Sequence, residues 1–297
     1  MPPSNKLKIA IIGSGNIGTD LLVKVMRSER MTCTLFAGRN LNSNGMKRAH
    51  ALGVNISDHG IESIINDTAI CDLVFDCSSA HAHREHWATL NRLGKTVIDI
   101  TPSKLGELCV PAINATQCLA TGARNINMIT CGGQSSIPIA YAISQVHNDI
   151  KYLEVASSIA SRSAGPATRY NLDEYIETTQ AALQNFTGVG HTKAILILNP
   201  ANPPIDMQTT IYAKIANPDL PAIQISVAAM VEKLKQYVPG YRLIVPPTLE
   251  GGMVMTTIKV QGAGDYLPQY AGNLDIINCA AIAMAELIAQ SGSCRVS

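Results

Sequence analysis

Hydrophobic positions follow two periods along the chain. Lys8 to Ile12 is a short, almost continuous apolar run closed by Gly13, as expected of a buried strand. Leu21, Leu22, Val25 and Met26 then recur at helical spacing. Thr32 to Ala37 reads as a second strand, and Met46 to Leu52 as a short helix ended by Gly53. Cys71 to Phe75 reads as a strand, His83 to Leu93 as a helix stopped by Gly94, and Thr96 to Ile100 as a strand. Asn125 to Thr130 and Ile137 to Val146 supply a further strand and helix. Strands without polar alternation, separated by helices, predict a parallel sheet with helices on both faces.

The pattern changes between residues 130 and 150. Tyr152 to Ala160, Ala194 to Leu198, Thr209 to Ile215, Tyr241 to Val245 and Val254 to Val260 read as strands. Only two helical stretches separate them, Leu172 to Phe186 and Pro221 to Tyr237. Longer strands with fewer helices predict a mixed or antiparallel sheet covered on one side. Ile276 to Ala289 is a last helix, expected to pack back on the first domain.

Gly13-Ser14-Gly15-Asn16-Ile17-Gly18 stands between the first strand and the first helix. There a G-x-G-x-x-G sequence has a mechanism. Gly13 permits the tight turn, Gly15 admits a pyrophosphate to the backbone, and Gly18 lets helix and strand approach. The free N–H groups and positive dipole end of the helix then face the phosphates. The expected architecture is α/β: a Rossmann dinucleotide-binding domain over residues 1–130, an α+β catalytic and dimerisation domain over 131–270, and a returning helix over 271–297. The second strand ends at Gly38-Arg39-Asn40, where an NAD-binding unit often places an acid on the ribose. Arg39 can instead pair with a 2′-phosphate, so NAD and NADP both stay open.

Cys131 is the cysteine with a distinctive setting. It ends an apolar strand and precedes Gly132, Gly133 and a helix whose start is marked by Ser135, Ser136 and Pro138. A thiol at a helix N-terminus is expected to ionise more readily, and the glycines to expose it and free N–H groups for an oxyanion. A dinucleotide beside such a thiolate defines a chemistry: addition to an aldehyde, hydride departure, and a thioester released by a second nucleophile.

Composition narrows the partners. The net charge is +1 from 23 basic and 22 acidic residues, with no charged block, which argues against nucleic acid and a membrane surface. No uninterrupted apolar run reaches the ~18 residues of a membrane span, and the N-terminus has no apolar core of a leader. The eight cysteines, at 33, 71, 77, 109, 118, 131, 279 and 294, form no C-x-x-C pair, so reduced thiols in the cytoplasm are expected. His81, His83 and His86 do not share one helical face, and no metal is expected there. Asp99 and Asp275 read as capping or core hydrogen-bonding groups.

Five stretches together resemble the acylating acetaldehyde dehydrogenases. They are Ala10 to Asp20, Thr130-Cys-Gly-Gly-Gln134, Ser163-Ala-Gly-Pro-Ala-Thr-Arg169 with Asn171, Tyr237 to Arg242, and Tyr266 to Asp275. The resemblance implies conversion of a small aldehyde, NAD and coenzyme A to acyl-CoA and NADH, with the acyl group carried on Cys131. It implies dinucleotide binding by the loop from Ser14 to Ile17, by Ser163, Ala164, Gly165, Pro166, Ala167, Thr168, Arg169, Tyr170 and Asn171, and by Asn273. It also implies a homodimer or larger assembly, and often a complex with a 4-hydroxy-2-oxoacid aldolase.

The chain departs from that family at Asn40 and at Thr209, both usually Asp, the second a candidate acid/base group. It departs also at Ala167, usually Gly, and in a shorter stretch between Arg242 and Gly262. On residues alone, the Ser163 loop is equally a solvated turn, and Asn171 with Glu174 a capping pair. Two other readings stand beside the first. One is a phosphorylating semialdehyde-dehydrogenase type, which wants a base His, where only His191 lies beyond residue 150. The other is a cofactor-binding, catalytically weakened subunit serving an aldolase.

Overall fold

The structure is a computed structural model and describes residues 6–292. Cys294 lies outside them, and of Pro166 and Ala167 only the backbone is described. The chain divides into two compact units, one of the residues up to Met128 and from Ala281 on, the other Ile129–Ala280.

The first unit runs β1 (Leu7–Ile12), α1 (Asn16–Arg27), β2 (Met31–Ala37), α2 (Asn44–Ala51), β3 (Ile56–Ser57), α3 (Glu62–Asn66), β4 (Leu73–Asp76), α4 (Ala80–Arg92), β5 (Thr96–Asp99), β6 (Glu107–Leu108), α5 (Pro111–Ala120) and β7 (Asn125–Asn127). Its seven strands are parallel, in the order β3-β2-β1-β4-β5-β7-β6. Every residue of β4, β5 and β7 is buried, and β4 and β5 accordingly lack polar alternation. The order reverses between β1 and β4, so the crevice beyond their C-terminal ends is where such sheets bind ligands. The two-residue strands β3 and β6 are too short to show a period in sequence.

The second unit runs α6 (Cys131–Ser144), β8 (Tyr152–Ala160), α7 (Pro166–Tyr170), α8 (Leu172–Thr187), β9 (Thr192–Asn199), β10 (Met207–Lys214), α9 (Leu220–Lys235), β11 (Tyr241–Glu250), β12 (Met253–Val260) and the first part of α10 (Gly272–Ser291). The sheet order is β11-β12-β10-β8-β9, antiparallel except for the β8–β9 pair. Leu153, Val155, Ser157 and Ile159 of β8, with Met207, Thr209, Ile211 and Ala213 of β10, turn inward. The helices α6, α8 and α9 pack on the sheet. β11 runs past Val245, the end expected from sequence, because an edge strand tolerates Pro246 and Pro247 through two register shifts.

Three expectations are corrected. Helix α6 begins at Cys131, six residues before the expected Ile137, because Thr130 caps it by accepting from Gly133 N–H at 2.8 Å. Pro138 is therefore inside the helix and does not mark its start. The division between units falls within α10 at Ala281, beyond the 271 expected. By length and composition α10 is apolar enough to cross a membrane, although Asn273, Asp275 and Glu286 interrupt any continuous run; 72% of its apolar window is buried inside the structure.

Candidate active site

In the first unit, the three loop glycines differ in what surrounds them. Gly13 has φ +115°, and a Cβ there would sit 2.6 Å from the Cys77 carbonyl oxygen. A Cβ on Gly18 would overlap the Gly13 carbonyl oxygen and lie 3.1 Å from its carbon. A Cβ on Gly15, the N-cap of α1, would meet nothing within 4 Å. Two glycines that the sequence motif did not single out complete the cradle. At Gly38 a Cβ would lie 2.6 Å from Ser14 Oγ, and at Gly45 it would overlap the Ser14 carbonyl. Ser14 Oγ meets Ser43 Oγ at 3.3 Å, and Thr19 Oγ1 donates to the Gly15 carbonyl at 2.8 Å. Arg39 and Asn40 follow β2 and are exposed; Asn40 Oδ1 accepts from Asn42 N–H at 2.9 Å, a local turn.

At the ends of β4 and β5 lies a buried cluster that periodicity concealed. Asp76 Oδ2 contacts Nδ1 of His83 at 3.0 Å and Nδ1 of His86 at 2.8 Å. His83 Nε2 lies 3.4 Å from Asp99 Oδ2. Asp99 also accepts from Ser103 Oγ, from Thr101 N–H and from Asn127 Nδ2. Burial works against the Asp76 charge, but hydrogen bonds from both histidines and the His86 charge outweigh it and hold the carboxyl well below its usual range. Burial likewise works against the His83 charge, and the two flanking carboxylates overcome it and raise its pKa. His81 points elsewhere, with Nε2 at 3.7 Å from Glu85. Among the described residues no cluster of three or more His, Cys, Asp or Glu side chains could hold a metal ion.

In the second unit, Cys131 opens α6. The chain is turned there by Ile129, a buried β-branched residue at φ +66°, a conformation costing of order 1–3 kcal/mol. Cys131 Sγ contacts Tyr175 Oη on α8 at 3.8 Å. Gly132 makes this approach feasible, since a Cβ there would overlap Tyr175 Oη and lie 3.0 Å from Cζ. The two glycines are buried in the first helical turn, while Cys131 itself is half-buried; the Gly133 N–H is taken by the Thr130 cap. The expected easy ionisation is also reversed. Burial pushes the Cys131 thiol up to about 11, against smaller opposing effects of Tyr175 and the backbone N–H groups of Gly132 and Cys131. At this sulfur desolvation outweighs the helix end.

Behind Tyr175 lies a line of buried hydroxyls. Ser157 Oγ and Ser135 Oγ each lie 2.9 Å from Thr209 Oγ1. Asp206 is not in this line and instead pairs with Lys259 at 2.8 Å.

The loop from Ser163 to Asn171 is an ordered turn. Ser163 Oγ donates to the Ala160 carbonyl at 2.8 Å, and Ala164 is buried. Arg169 is spent locally: Nε donates to the Ala164 carbonyl at 3.1 Å, and one Nη to the carbonyl and hydroxyl of Ser161. Tyr170 and Thr168 follow on α7, Tyr170 being exposed. A Cβ on Gly165 would meet nothing within 4 Å. Asn171 is the N-cap of α8, but its side chain makes no capping hydrogen bond, so the capping pair with Glu174 does not form. Asn273, in the first turn of α10, is buried, and its Oδ1 has no hydrogen-bond partner. In the first unit, the open space at Gly15 before the α1 N-terminus suits the pyrophosphate of a dinucleotide.

A seven-stranded parallel sheet with a glycine cradle in one unit, and a helix-start cysteine in the other, together define a nucleotide-dependent aldehyde oxidoreductase. The comparisons agree. Residues 8–118 match the family model "Semialdehyde dehydrogenase, NAD binding domain", and residues 131–268 match "Prokaryotic acetaldehyde dehydrogenase, dimerisation". Two solved structures share the fold at a TM-score of 0.63. One is aspartate semialdehyde dehydrogenase with NADP from Candida albicans, 12% identical, covering 97% of this chain and 99% of that one. The other is the Vibrio cholerae aspartate semialdehyde dehydrogenase II, 13% identical, covering 96% and 99%. An acetaldehyde dehydrogenase of Pectobacterium atrosepticum is 70% identical over 96% of each chain, and one of Spirochaeta aurantia 52% identical over 96% and 95%. The chain belongs to the acetaldehyde dehydrogenase family and is an oxidoreductase acting on aldehydes with an NAD(P)-binding domain.

Proposed function

We propose that this aldehyde dehydrogenase is acylating, converting acetaldehyde or another short aldehyde, NAD and coenzyme A to acyl-CoA, NADH and a proton. The observation that carries the reading is Cys131 at the first position of α6, with Tyr175 Oη on its sulfur. The thiolate adds to the aldehyde carbon, and the oxygen takes the electron pair of the broken π bond. The dinucleotide, when bound, accepts the hydride that this carbon loses. The acyl group is left as a thioester on Cys131, and the coenzyme A thiol displaces the Cys131 sulfur.

The residues that would hold the dinucleotide are the loop from Gly13 to Gly18, the turn from Ser163 to Asn171, and Asn273. The Gly15 and Gly165 positions leave room for it, and Asn273 Oδ1 is a waiting acceptor. Arg39 is exposed and makes no ion pair with the described residues, so it can meet a 2′-phosphate, and NADP is accepted beside NAD. The sheet face of Glu154, Ala156, Ser158, Thr210 and Tyr212, opposite the helices, offers a surface for a second copy. An aldolase subunit supplying the aldehyde is a further partner of this reading. The seven described cysteines are all free, in keeping with the cytoplasm.

The test is mass spectrometry of the protein mixed with acetyl-CoA, together with NADH formation from acetaldehyde, NAD and coenzyme A. An acetyl group on the peptide containing Cys131, absent in Cys131→Ala, is expected. Turnover by Cys131→Ala equal to the parent's overturns the thioester. Arsenate- or phosphate-dependent turnover without coenzyme A would point to the phosphorylating chemistry, and dinucleotide binding without turnover to the subunit that serves an aldolase.

A further inference from the structure

We infer that Ser78 is a binding residue for the dinucleotide, its hydroxyl oxygen accepting from a hydroxyl of the ribose on the nicotinamide side, and that Asp76, anchored by His83 and His86, is the positioning residue that aims it. The inference rests on the loop from Gly13 to Gly18 being the seat of the pyrophosphate.

The turn after β4 is built against the turn after β1. Cys77 N–H donates to the Ile12 carbonyl at 2.8 Å, and the Cys77 carbonyl is what excludes a side chain from Gly13. The strand order reverses between these two strands, and a dinucleotide crosses the crevice there. The end of β2 serves the ribose of one nucleotide. A pyrophosphate at the start of α1 then carries the second nucleotide to the other side of Gly13, over the end of β4 and the turn of residues 77–79.

That turn holds two hydroxyls with different duties. Ser79 is the N-cap of α4 and accepts from Ala82 N–H at 3.2 Å. Ser78 is half-buried and gives its proton to Asp76 Oδ1. A hydroxyl has one proton and two lone pairs, so with its proton spent Ser78 meets a ligand as an acceptor. Donation to a carboxylate strengthens those lone pairs. The hydroxyls of the second ribose are donors of the matching kind.

The two oxygens of Asp76 divide the work. Oδ1 accepts from Ser78 N–H at 3.0 Å and from Ser78 Oγ. Oδ2 accepts from Nδ1 of His86 at 2.8 Å and of His83 at 3.0 Å. A carboxylate has no proton to give, so both histidines carry theirs on Nδ1. His83 Nε2 continues the anchor to Asp99 Oδ2 at 3.4 Å and Asn125 Nδ2 at 3.2 Å, on β5 and β7. Donors on both oxygens fix the orientation of the buried carboxylate, and through it the direction in which Ser78 Oγ holds its free lone pairs.

The test is calorimetric titration of NADH, ADP-ribose and ADP. ADP-ribose carries the second ribose without nicotinamide, and ADP carries neither. Ser78→Ala keeps the backbone N–H on Asp76, so the turn stands and the hydroxyl alone is lost. It is expected to weaken NADH and ADP-ribose by about threefold to tenfold, the range of one hydrogen bond, and to leave ADP unchanged. Asp76→Asn is expected to weaken NADH and ADP-ribose in the parent, and to add less than about twofold when residue 78 is already alanine, because Asp76 acts through that hydroxyl. A merely structural role for the turn weakens all three ligands alike and gives losses that add. Parent-like ADP-ribose affinity in Ser78→Ala overturns the inference, as does an equal loss for ADP. Additive losses in the double variant overturn the role of Asp76. If melting shows that Asp76→Asn does not fold, His86→Ala, at the half-buried end of the anchor, takes its place in the cycle. Gly15→Ala reports on the loop separately: a normal loss of NADH there with Ser78→Ala unaffected refutes Ser78 and leaves the loop standing.

Discussion

A methyl group would meet backbone at Gly18 and open space at Gly15, so alanine at each separates folding from binding. At Gly18 the new Cβ overlaps the Gly13 carbonyl oxygen, and Ile11 Cγ2 stands 3.4 Å away. These are strand and turn atoms of a buried sheet and cannot swing aside. Overpacking of this kind costs about 1–3 kcal/mol, and the helix-propensity gain of Gly→Ala returns up to ~1 kcal/mol. Because the obstacle is backbone, a net loss of about 2 kcal/mol is expected, or roughly 4–8 °C of melting temperature for a unit of this size. At Gly15, φ −78° and ψ −169° suit alanine and the surroundings are open, so stability should change by under ~1 kcal/mol. That open space is where a pyrophosphate would lie, so Gly15→Ala should weaken NADH binding at least ~10-fold, ~1.4 kcal/mol. Thermal melts and NADH fluorescence titrations on both variants measure the two effects. Full NADH affinity in Gly15→Ala, or a parent-like melt for Gly18→Ala, would refute the assignment of the loop.

Three further outcomes follow from the site electrostatics. With its thiol near 11, Cys131 is about one-thousandth thiolate at pH 8. Its alkylation should therefore climb close to tenfold per pH unit between 7 and 9, and a plateau there would contradict the burial argument. His83 has a raised folded pKa, so its contribution to stability is complete below its ordinary value of 6.5 and is lost as pH rises through the folded value. Asp76, lowered in the fold, contributes above its ordinary 3.8 and loses that contribution only in strong acid. Melting of the dinucleotide-binding unit should thus fall on the alkaline side of 6.5, and His83→Gln should flatten that limb; an unaltered limb would show that His83 carries no buried charge. Arg39→Ala should reduce use of NADP more than that of NAD, with discrimination in the parent within about tenfold; a strong NAD preference untouched by the change would leave Arg39 to solvent.

Cofactor-site features that depend on neighbours in sequence were legible in advance. Gly13 makes the tight turn and Gly18 the close approach of helix to strand that their spacing implies, because the turn and the helix start are local. Strand against helix was readable wherever the burial pattern had a period, as in β8, where inward and outward residues alternate. It failed at Cys131-Gly-Gly, where the helix start rests on a Thr130 cap, and at Pro246-Pro247, where only the edge position of β11 lets the strand continue.

What the tertiary structure alone decided is the chemistry around the sulfur and around Asp76. Cys131 and Tyr175 stand 44 residues apart in the chain, Ser157 and Thr209 52, and Ser135 and Thr209 74. No local pattern marks those pairings, which follow from β8–β10 register and from the seating of α6 and α8 on the sheet. The sign of the Cys131 shift followed the same rule. A helix N-terminus is visible in sequence and favours the thiolate, but enclosure of the sulfur depends on what packs over it, and desolvation is the larger effect there. His83 likewise read as one of three histidines on a helix, and only the adjacent ends of β4 and β5 set it between two carboxylates.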